Sequence, residues 1–288
     1  MRSVKLAIVV LTYNEELNLP DCLASLKALD AHVTVVDSGS TDNTVTIAKN
    51  WGATVISHPF ENYAKQRNWA QENLSVKPDW IFHIDADERL TPELARDIAN
   101  VVTDPPDGIV AFMTSRREIF FDKWIKHGGL YPTYHMRLFK FGHGHCENRL
   151  YDQHFVAHGP SRKLSGDLID VLTSDLTTWT TRHARWAEAE ARQLTQHHDG
   201  GEVEPKLFGS PIERRRWLRH KLYERMPLFV RPALYFGYRY IGRGGFLDGR
   251  EGFVYHVLQG AWFRFLVDSH VMLERTKAAR AKKSGSGT

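Results

Sequence analysis

The chain has 288 residues, of which 42% are apolar and 25% are charged, and its formal net charge is +4. These values predict a folded protein with a substantial core and exclude a disordered or fibrous chain. Two cysteines, Cys22 and Cys146, exclude a disulfide framework and favour a reducing cytoplasm. We expect neither a secretory signal nor a membrane span, since no apolar run has the required length or flanking pattern.

Strand-like and helix-like patterns alternate as far as residue 103. The nearly continuous hydrophobic run Val4–Leu11 is typical of a central parallel strand covered on both faces. Apolar residues at three- and four-residue spacing then predict a helix, and Thr91 followed by Pro92 predicts the start of a later one. The predicted strands are residues 4–11, 32–36, 53–56 and 80–84. This alternation predicts an α/β sheet that is largely parallel.

Polar side chains follow three of the predicted strands, in Thr12–Glu15, Asp37–Asp42 and Asp85–Glu88. Ligands of parallel α/β sheets bind beyond the carboxyl ends of the strands, so three such clusters at one edge would form a site. A dinucleotide-binding Rossmann domain is disfavoured, because the first strand leads into Thr12–Glu15 and not into a glycine-rich turn.

Asp85 and Asp87 are two residues apart at the end of a buried strand. In extended backbone such residues share a face, and two adjacent carboxylates repel each other unless a cation or a proton intervenes. Hard divalent ions such as Mg²⁺ prefer oxygen ligands and often share them with substrate phosphates. The pattern indicates either a metal–diphosphate site or a solvated acidic loop.

The motifs in residues 9–16, 35–42 and 84–88, in this order, resemble the inverting glycosyltransferases of family 2. That resemblance implies the GT-A fold, a Rossmann-like and mostly parallel central sheet with flanking helices. Residues 120–275 are more loosely similar to bacterial lipopolysaccharide-core glycosyltransferases of the WaaE type.

The family resemblance also implies roles for individual residues. Asp85 would lie near the ribose and the metal, and Asp87 would ligate Mg²⁺ or Mn²⁺ directly. Asp37 would contact the base or the ribose, with Ser38 beside it. The residues expected in the nucleotide pocket are Thr12, Asn14, Glu15, Asp37 and Ser38.

A basic side chain is expected to assist the leaving diphosphate. Lys65 and Arg67 are the candidates just before the acidic strand, and Arg67 is preferred because a guanidinium binds phosphate oxygens in pairs. The alternative is an ordinary surface charge on a helix.

An inverting transfer needs one general base beside the acceptor hydroxyl. The candidates are Asp152, which is preferred, and Glu147; the alternative is that either one only pairs with an arginine such as Arg149. Related sequences carry a His-Glu pair near this point, whereas this chain has Gln153, which cannot act as a base.

Two other segments invite a functional interpretation. His143, His145 and Cys146 have no usual zinc-ligand spacing, so a zinc site is disfavoured. His127, Gly128 and Gly129 either let the backbone approach a ligand or form a simple turn.

The last third of the chain is basic and rich in aromatic residues. The helix predicted over 174–198 carries a tryptophan stripe, expected to pack and not to bind a ligand, and 199–205 is a predicted loop. Phe246–Gly252 is predicted to be a turn between two helices. The expected division is a glycosyltransferase domain at 1–200, a basic helical appendage at 201–280 and a disordered tail at 281–288.

Three interpretations of the appendage compete: a surface that binds anionic membranes, a site for single-stranded nucleic acid, and a packing element with a solvated basic face. The resemblance favours the membrane, and nucleic acid is not the expected partner.

The sequence thus predicts a metal-dependent inverting glycosyltransferase of bacterial cell-surface polysaccharide or lipopolysaccharide synthesis. It would take a sugar from a nucleotide donor, with a UDP-sugar expected, to a glycan or lipid-linked acceptor. We expect it in the cytoplasm, peripheral on the inner face of the membrane. The alternatives are a non-catalytic sugar-nucleotide or lipid-surface module of the same fold and a nucleic-acid-binding protein.

Overall fold

The structure, a computed structural model, describes residues 2–149, 152–172, 175–195, 202, 204–208 and 211–285. The strands are β1 (Arg2–Thr12), β2 (His32–Asp37), β3 (Thr54–Ser57), β4 (Val76–Asp85), β5 (Glu88–Leu90), β6 (Ala111–Phe120), β7 (Lys123–Ile125), β8 (Tyr134–Lys140), β9 (Gly144–Cys146), β10 (Phe155–Ala157) and β11 (Ser161–Val171). The α-helices are α1 (Leu19–Leu26), α2 (Thr44–Trp51), α3 (Tyr63–Glu72), α4 (Pro92–Thr103), α5 (Leu176–Thr195), α6 (Pro211–Lys221), α7 (Val230–Gly237), α8 (Gly249–Tyr255) and α9 (Phe263–Gly285).

The main sheet has the strand order β3-β2-β1-β4-β8-β6-β11-β5, with β7 paired to β6. The first four strands in this order are mutually parallel, as the alternating pattern predicts. β8 runs antiparallel to both β4 and β6, and β5 is antiparallel to β11, so the sheet becomes mixed beyond β4. The predicted α/β class is therefore confirmed, and its parallel part is the half that carries the three motifs.

Helices cover both faces of the parallel half, which explains the continuous apolar character of β1. Leu6, Ile8 and Val10 join one core cluster, while Ala7 and Val9 join the cluster on the opposite face. The helix starts follow local rules: Thr91 accepts a hydrogen bond from the amide of Leu94 and caps α4.

The chain forms two compact units: Met1–Ile119, Pro132–Asn148 and Gln153–Leu172 make up unit 1, and Phe120–Tyr131, Arg149–Asp152 and Thr173–Thr288 make up unit 2. Unit 2 includes α5, which the sequence assigned to the first domain; the boundary near residue 200 stays a prediction. The predicted loop at 199–205 lies mostly outside the described residues.

The C-terminal part of unit 2, from α5 onward, is helical, as expected for the C-terminal region. Its apolar core lies between α5 and α9, which contribute Ala187, Ala191, Phe263 and Val267. Trp179 is buried and stacks on His183 at 3.5 Å between ring centroids, so this member of the tryptophan stripe packs as predicted. The tail expected to be disordered from residue 281 is helical as far as Gly285, and residues 286–288 lie outside the described residues.

Candidate active site

The register of β1 brings the predicted strand-end motifs to one edge of the sheet in unit 1. Thr12 is paired with Asp37 on β2, and Leu11 is paired with Asp85 on β4. Parallel neighbours in register end at the same height, so the three polar clusters become adjacent. The expected convergence at the carboxyl edge is thereby present.

Asp37 forms the centre of the first cluster. Its carboxylate accepts hydrogen bonds from the Thr12 hydroxyl at 3.2 Å, from the Ser40 hydroxyl at 2.5 Å and from the amides of Gly39 and Ser40 at 3.0 and 2.9 Å. Gly39 has a φ of 93°, a conformation that favours glycine. The carboxylate thus shapes the turn after β2, at the position where the resemblance expects a contact to the nucleoside.

Asn14 and Glu15 lock the turn after β1 to the turn after β2. The Asn14 amide donates to the Ser40 hydroxyl at 2.9 Å, and its side-chain oxygen accepts from the Thr41 amide at 2.8 Å. The Glu15 amide donates to the Thr44 hydroxyl at 2.8 Å. Asn14 has a φ of 54°, which asparagine tolerates better than most residues. These contacts make one preorganised rim from two loops.

Ser38 connects this rim to α3. Its hydroxyl accepts from the Gln66 side chain at 3.1 Å, and Gln66 also lies 2.7 Å from a ring nitrogen of His58. His58 stacks on Trp69 with ring centroids 3.9 Å apart. His58 and Gln66 were not predicted to belong to the site, because neither is part of a recognisable sequence motif.

Asp85 is held by two arginines. One nitrogen of Arg67 donates to both carboxylate oxygens at 2.9 Å, and Arg137 approaches at 3.3 Å. Burial opposes ionisation of Asp85, but Arg67 and Arg137 outweigh it and hold its pKa below the usual range. Arg67, expected to bind phosphate, is 8% exposed and engaged with Asp85, so its phosphate role stays a prediction. Lys65 is exposed and pairs with Glu61.

Glu88 stabilises the same turn through a backbone hydrogen bond and an ion pair. It accepts a hydrogen bond from the Asp85 amide at 2.9 Å and pairs with Arg137 at 2.5 Å. Burial raises the pKa of Glu88 to about 7, while Arg137 opposes that rise. Asp87 lies between these two residues, is partly exposed, and its backbone carbonyl accepts from the Val171 amide at 3.0 Å.

The protein side chains at this edge could supply only some of the ligands of a divalent ion. Among the described residues, no three His, Cys, Asp or Glu side chains are arranged to hold a metal. Mg²⁺ typically takes one or two carboxylates and completes its shell with substrate phosphates and water. Asp85 is committed to two arginines, and the role of Asp87 as the direct metal ligand stays a prediction.

The two base candidates have different environments. Glu147 is fully buried in unit 1 and accepts from the His154 amide at 3.0 Å. The Asp152 side chain, in unit 2, is 42% exposed and lies 3.8 Å from Arg219. Neither role is tested by this geometry, so the preference for Asp152 over Glu147 stays a prediction.

A row of acids beside the site was missed by the sequence analysis. Asp170 on β11 is paired in register with Glu88 on β5 and with Glu118 on β6. Arg116 bridges Asp170 at 3.0 Å and Glu118 at 3.1 Å. Burial raises the pKa of Asp170 well above its ordinary value against the opposing effect of Arg116. Their scattered sequence positions give no local signal, because only strand pairing brings them together.

Comparison with known proteins identifies the family. The model of glycosyl transferase family 2 matches residues 7–162. The chain belongs to glycosyl transferase family 2. The matched region contains all three strand-end motifs and most of unit 1.

Curated glycosyltransferases align with part of the chain. A glycosyltransferase of Rickettsia typhi is 43% identical over 94 residues, which are 33% of this chain and 32% of that protein. The lipopolysaccharide core biosynthesis glycosyltransferase LpsC of Rhizobium meliloti is 31% identical over 144 residues, covering 48% of this chain and 52% of LpsC. The chain thus spans about a third of the first of these relatives and half of the second.

A solved structure shares the fold over nearly the whole chain. The mannosyltransferase PcManGT of Pyrobaculum calidifontis, in complex with GDP-Man and Mn²⁺, matches 95% of this chain and 86% of its own. The TM-score is 0.52 at 13% sequence identity, so this likeness concerns the GT-A fold alone.

Proposed function

We propose that this protein is an inverting glycosyltransferase that takes a sugar from a nucleotide-sugar donor, of the UDP-sugar class, to a glycan or lipid-linked acceptor. The observation that carries the proposal is the register of β1, which places Thr12 beside Asp37 and Leu11 beside Asp85 in a family 2 chain. The similarity to LpsC supports a place in bacterial lipopolysaccharide or other cell-surface polysaccharide synthesis.

In this proposal the rim formed by the turns after β1 and β2 binds the nucleoside. Thr12, Asn14 and Glu15 are already fixed by hydrogen bonds to the second turn, so little conformational entropy is lost when a nucleotide binds there. Asp37 and Ser38 then face the base and ribose. Arg67 both orients Asp85 and supplies positive charge near the diphosphate.

Asp87, with Asp85 nearby, is the proposed holder of Mg²⁺ or Mn²⁺. The ion, when bound, would neutralise charge that grows on the departing diphosphate. The mannosyltransferase of like fold was solved with Mn²⁺ and GDP-Man, which is in keeping with this assignment.

Asp152 is the proposed base. The acceptor oxygen forms a bond to the anomeric carbon, the bond from that carbon to the diphosphate oxygen breaks, and the diphosphate leaves with the electron pair. The hydroxyl proton passes to the Asp152 carboxylate. Attack opposite the leaving group inverts the anomeric centre.

The site of action is proposed to be the cytoplasmic side of an anionic membrane surface. In the part of the chain that the structure describes, no helix is both long and apolar enough to cross a bilayer.

The decisive experiment measures release of nucleoside diphosphate from a panel of UDP-, GDP- and CDP-sugars with Mn²⁺, Mg²⁺ or EDTA. Asp87→Asn should remove metal-dependent turnover, while Asp30→Asn, an exposed acid after α1, should leave it unchanged. Donor binding is followed separately by thermal stabilisation. Stabilisation without turnover would indicate a non-catalytic module, and activity of Asp87→Asn equal to that of the wild type would reject the metal assignment.

A further inference from the structure

Three exposed apolar residues lie on the helix that runs through α7 into the π-helical segment Tyr238–Gly242. Leu234, Tyr238 and Ile241 follow each other at intervals of four and three residues, and the side chains of all three are exposed to solvent. Ile241 is 70% exposed, and the other two are each 55% exposed. Such side chains in water lose the stabilisation that burial would give them.

The next turn adds two more exposed apolar side chains. Phe246 and Leu247 are 51% and 61% exposed, and the loop that carries them is anchored from beneath. Asp248 is buried and accepts from the His127 amide at 2.8 Å, and a ring nitrogen of His127 lies 2.6 Å from its second oxygen. The loop that carries Phe246 and Leu247 is therefore anchored by a buried carboxylate.

Backbone hydrogen bonds link the end of this helix directly to the loop within unit 2. The Gly244 amide donates to the Ile241 carbonyl at 3.2 Å, and the Leu247 amide donates to the Gly244 carbonyl at 2.9 Å. Arg243 donates to the Tyr238 hydroxyl at 3.2 Å, which places a cation among these residues. We call Leu234, Tyr238, Ile241, Phe246 and Leu247 the apolar patch.

Two arginines are exposed beside the apolar patch. Arg243 and Arg250 are exposed, and Arg250 lines a groove together with Phe246. The acids of residues 230–256 are Asp248, which is buried, and Glu251, which pairs with Lys123 at 3.2 Å. The surface therefore combines apolar side chains with exposed guanidinium groups, and the partly exposed carboxylate of Glu251 is paired with Lys123.

We infer that the apolar patch inserts into the interface of an anionic phospholipid bilayer, with Arg243 and Arg250 binding lipid phosphates. Apolar groups at the acyl boundary and cations at the headgroups are the combination that holds peripheral proteins at a bilayer. A two-fold contact with a second copy would bring four of these arginines together without matching carboxylates. Three of the five patch residues are leucine or isoleucine, which offer no ring on which nucleic-acid bases stack.

This inference specifies which surface of the protein binds the membrane named in the proposed function. It depends on the proposed function only for the identity of the acceptor. The test uses the full chain and co-sedimentation with vesicles of phosphatidylcholine alone or of an equal mixture with phosphatidylglycerol. Binding is expected on the mixed vesicles and should weaken with added salt. Ile241→Ser with Leu247→Ser, and separately Arg243→Gln with Arg250→Gln, should each weaken it about tenfold or more.

The matched control is Met272→Ser with Leu273→Ser, two exposed apolar residues of α9 outside the apolar patch, which should bind like the wild type. Thermal melting shows that each variant is folded. Equal binding by patch variants and wild type would overturn the inference. A patch variant that changes the oligomeric mass but not vesicle binding would also overturn it. The same holds for an arginine variant that binds vesicles like the wild type but loses binding to a single-stranded oligonucleotide, measured on the same proteins. Donor turnover in solution is measured in parallel, so failure of the glycosyltransferase proposal is seen independently.

Discussion

Arg137 donates to Glu88 at 2.5 Å and to Asp85 at 3.3 Å, so one guanidinium holds the carboxylates on both sides of Asp87. The Arg137 and Glu88 side chains are almost completely buried. A buried ion pair contributes little net stability, but removal of one partner leaves an uncompensated charge. The turn that presents Asp87 therefore depends on a residue from another strand.

Arg137→Met should lower the free energy of unfolding by about 3–5 kcal/mol, because Asp85 and Glu88 lose their shared cation. Chemical denaturation at neutral pH measures this loss. Arg96→Met, which removes an exposed arginine paired with Glu93, should change stability by less than about 0.5 kcal/mol. Adding Glu88→Gln to Arg137→Met should recover part of the loss, and a double variant no more stable than the single one would contradict the pairing.

Asp152→Asn should lower kcat about 100-fold or more while sparing donor affinity, since the proposed base is lost but the nucleotide rim is intact. Asparagine suits the backbone here, because Asp152 has a φ of 59°. Steady-state kinetics and donor-induced thermal shifts give the two readouts. If Glu147→Gln produces this pattern and Asp152→Asn does not, the base is Glu147.

Protonation of His183 should lower the free energy of unfolding in acid. Burial lowers its pKa from 6.5 to about 4. Because the unfolded chain then binds more protons between those two values, stability is lost as pH falls through this range. His183→Phe keeps an aromatic ring on Trp179 and removes the titrating group.

The stability advantage of the wild type over His183→Phe should shrink by about 2–3 kcal/mol between pH 7 and pH 4. Denaturant titrations at several pH values measure it. His270→Phe, at a half-exposed position on α9, serves as the control. A difference between wild type and His183→Phe that does not vary with pH would show that His183 is not buried in the neutral form.

Two glycine substitutions should act in opposite directions. A Cβ on Gly166 would lie 2.1 Å from the Leu94 nitrogen at the start of α4, so Gly166→Ala should cost about 2 kcal/mol or more. Gly237 is helical, and a Cβ added there would meet no atom within 4 Å, so Gly237→Ala should gain about 0.5–1 kcal/mol. Thermal melts of both variants check the signs, and destabilisation by Gly237→Ala would be contrary to this packing.

The sequence predicted the parallel half of the fold because the evidence for it is local. The leucine spacing of α1, the Thr91 cap of α4 and the continuous apolar run of β1 each depend on residues a few positions apart. The strand-end motifs were likewise readable, since a parallel sheet brings the ends of neighbouring strands to one edge.

The partners of those motifs were not predictable in this way. Arg137 is 49 residues from Glu88, and Asp248 is 121 residues from His127. Neither pair has a sequence spacing that indicates contact.

The sequence by itself therefore determined the family, the parallel strands and the acidic motif. Only the tertiary structure decided that Asp85 is neutralised by arginines, that Glu88 joins Asp170 and Glu118 in one row, and that Asp248 anchors its loop to His127. The physical reason is that hydrophobic period and capping act within a few residues, whereas charge pairing depends on which distant strands and helices become neighbours.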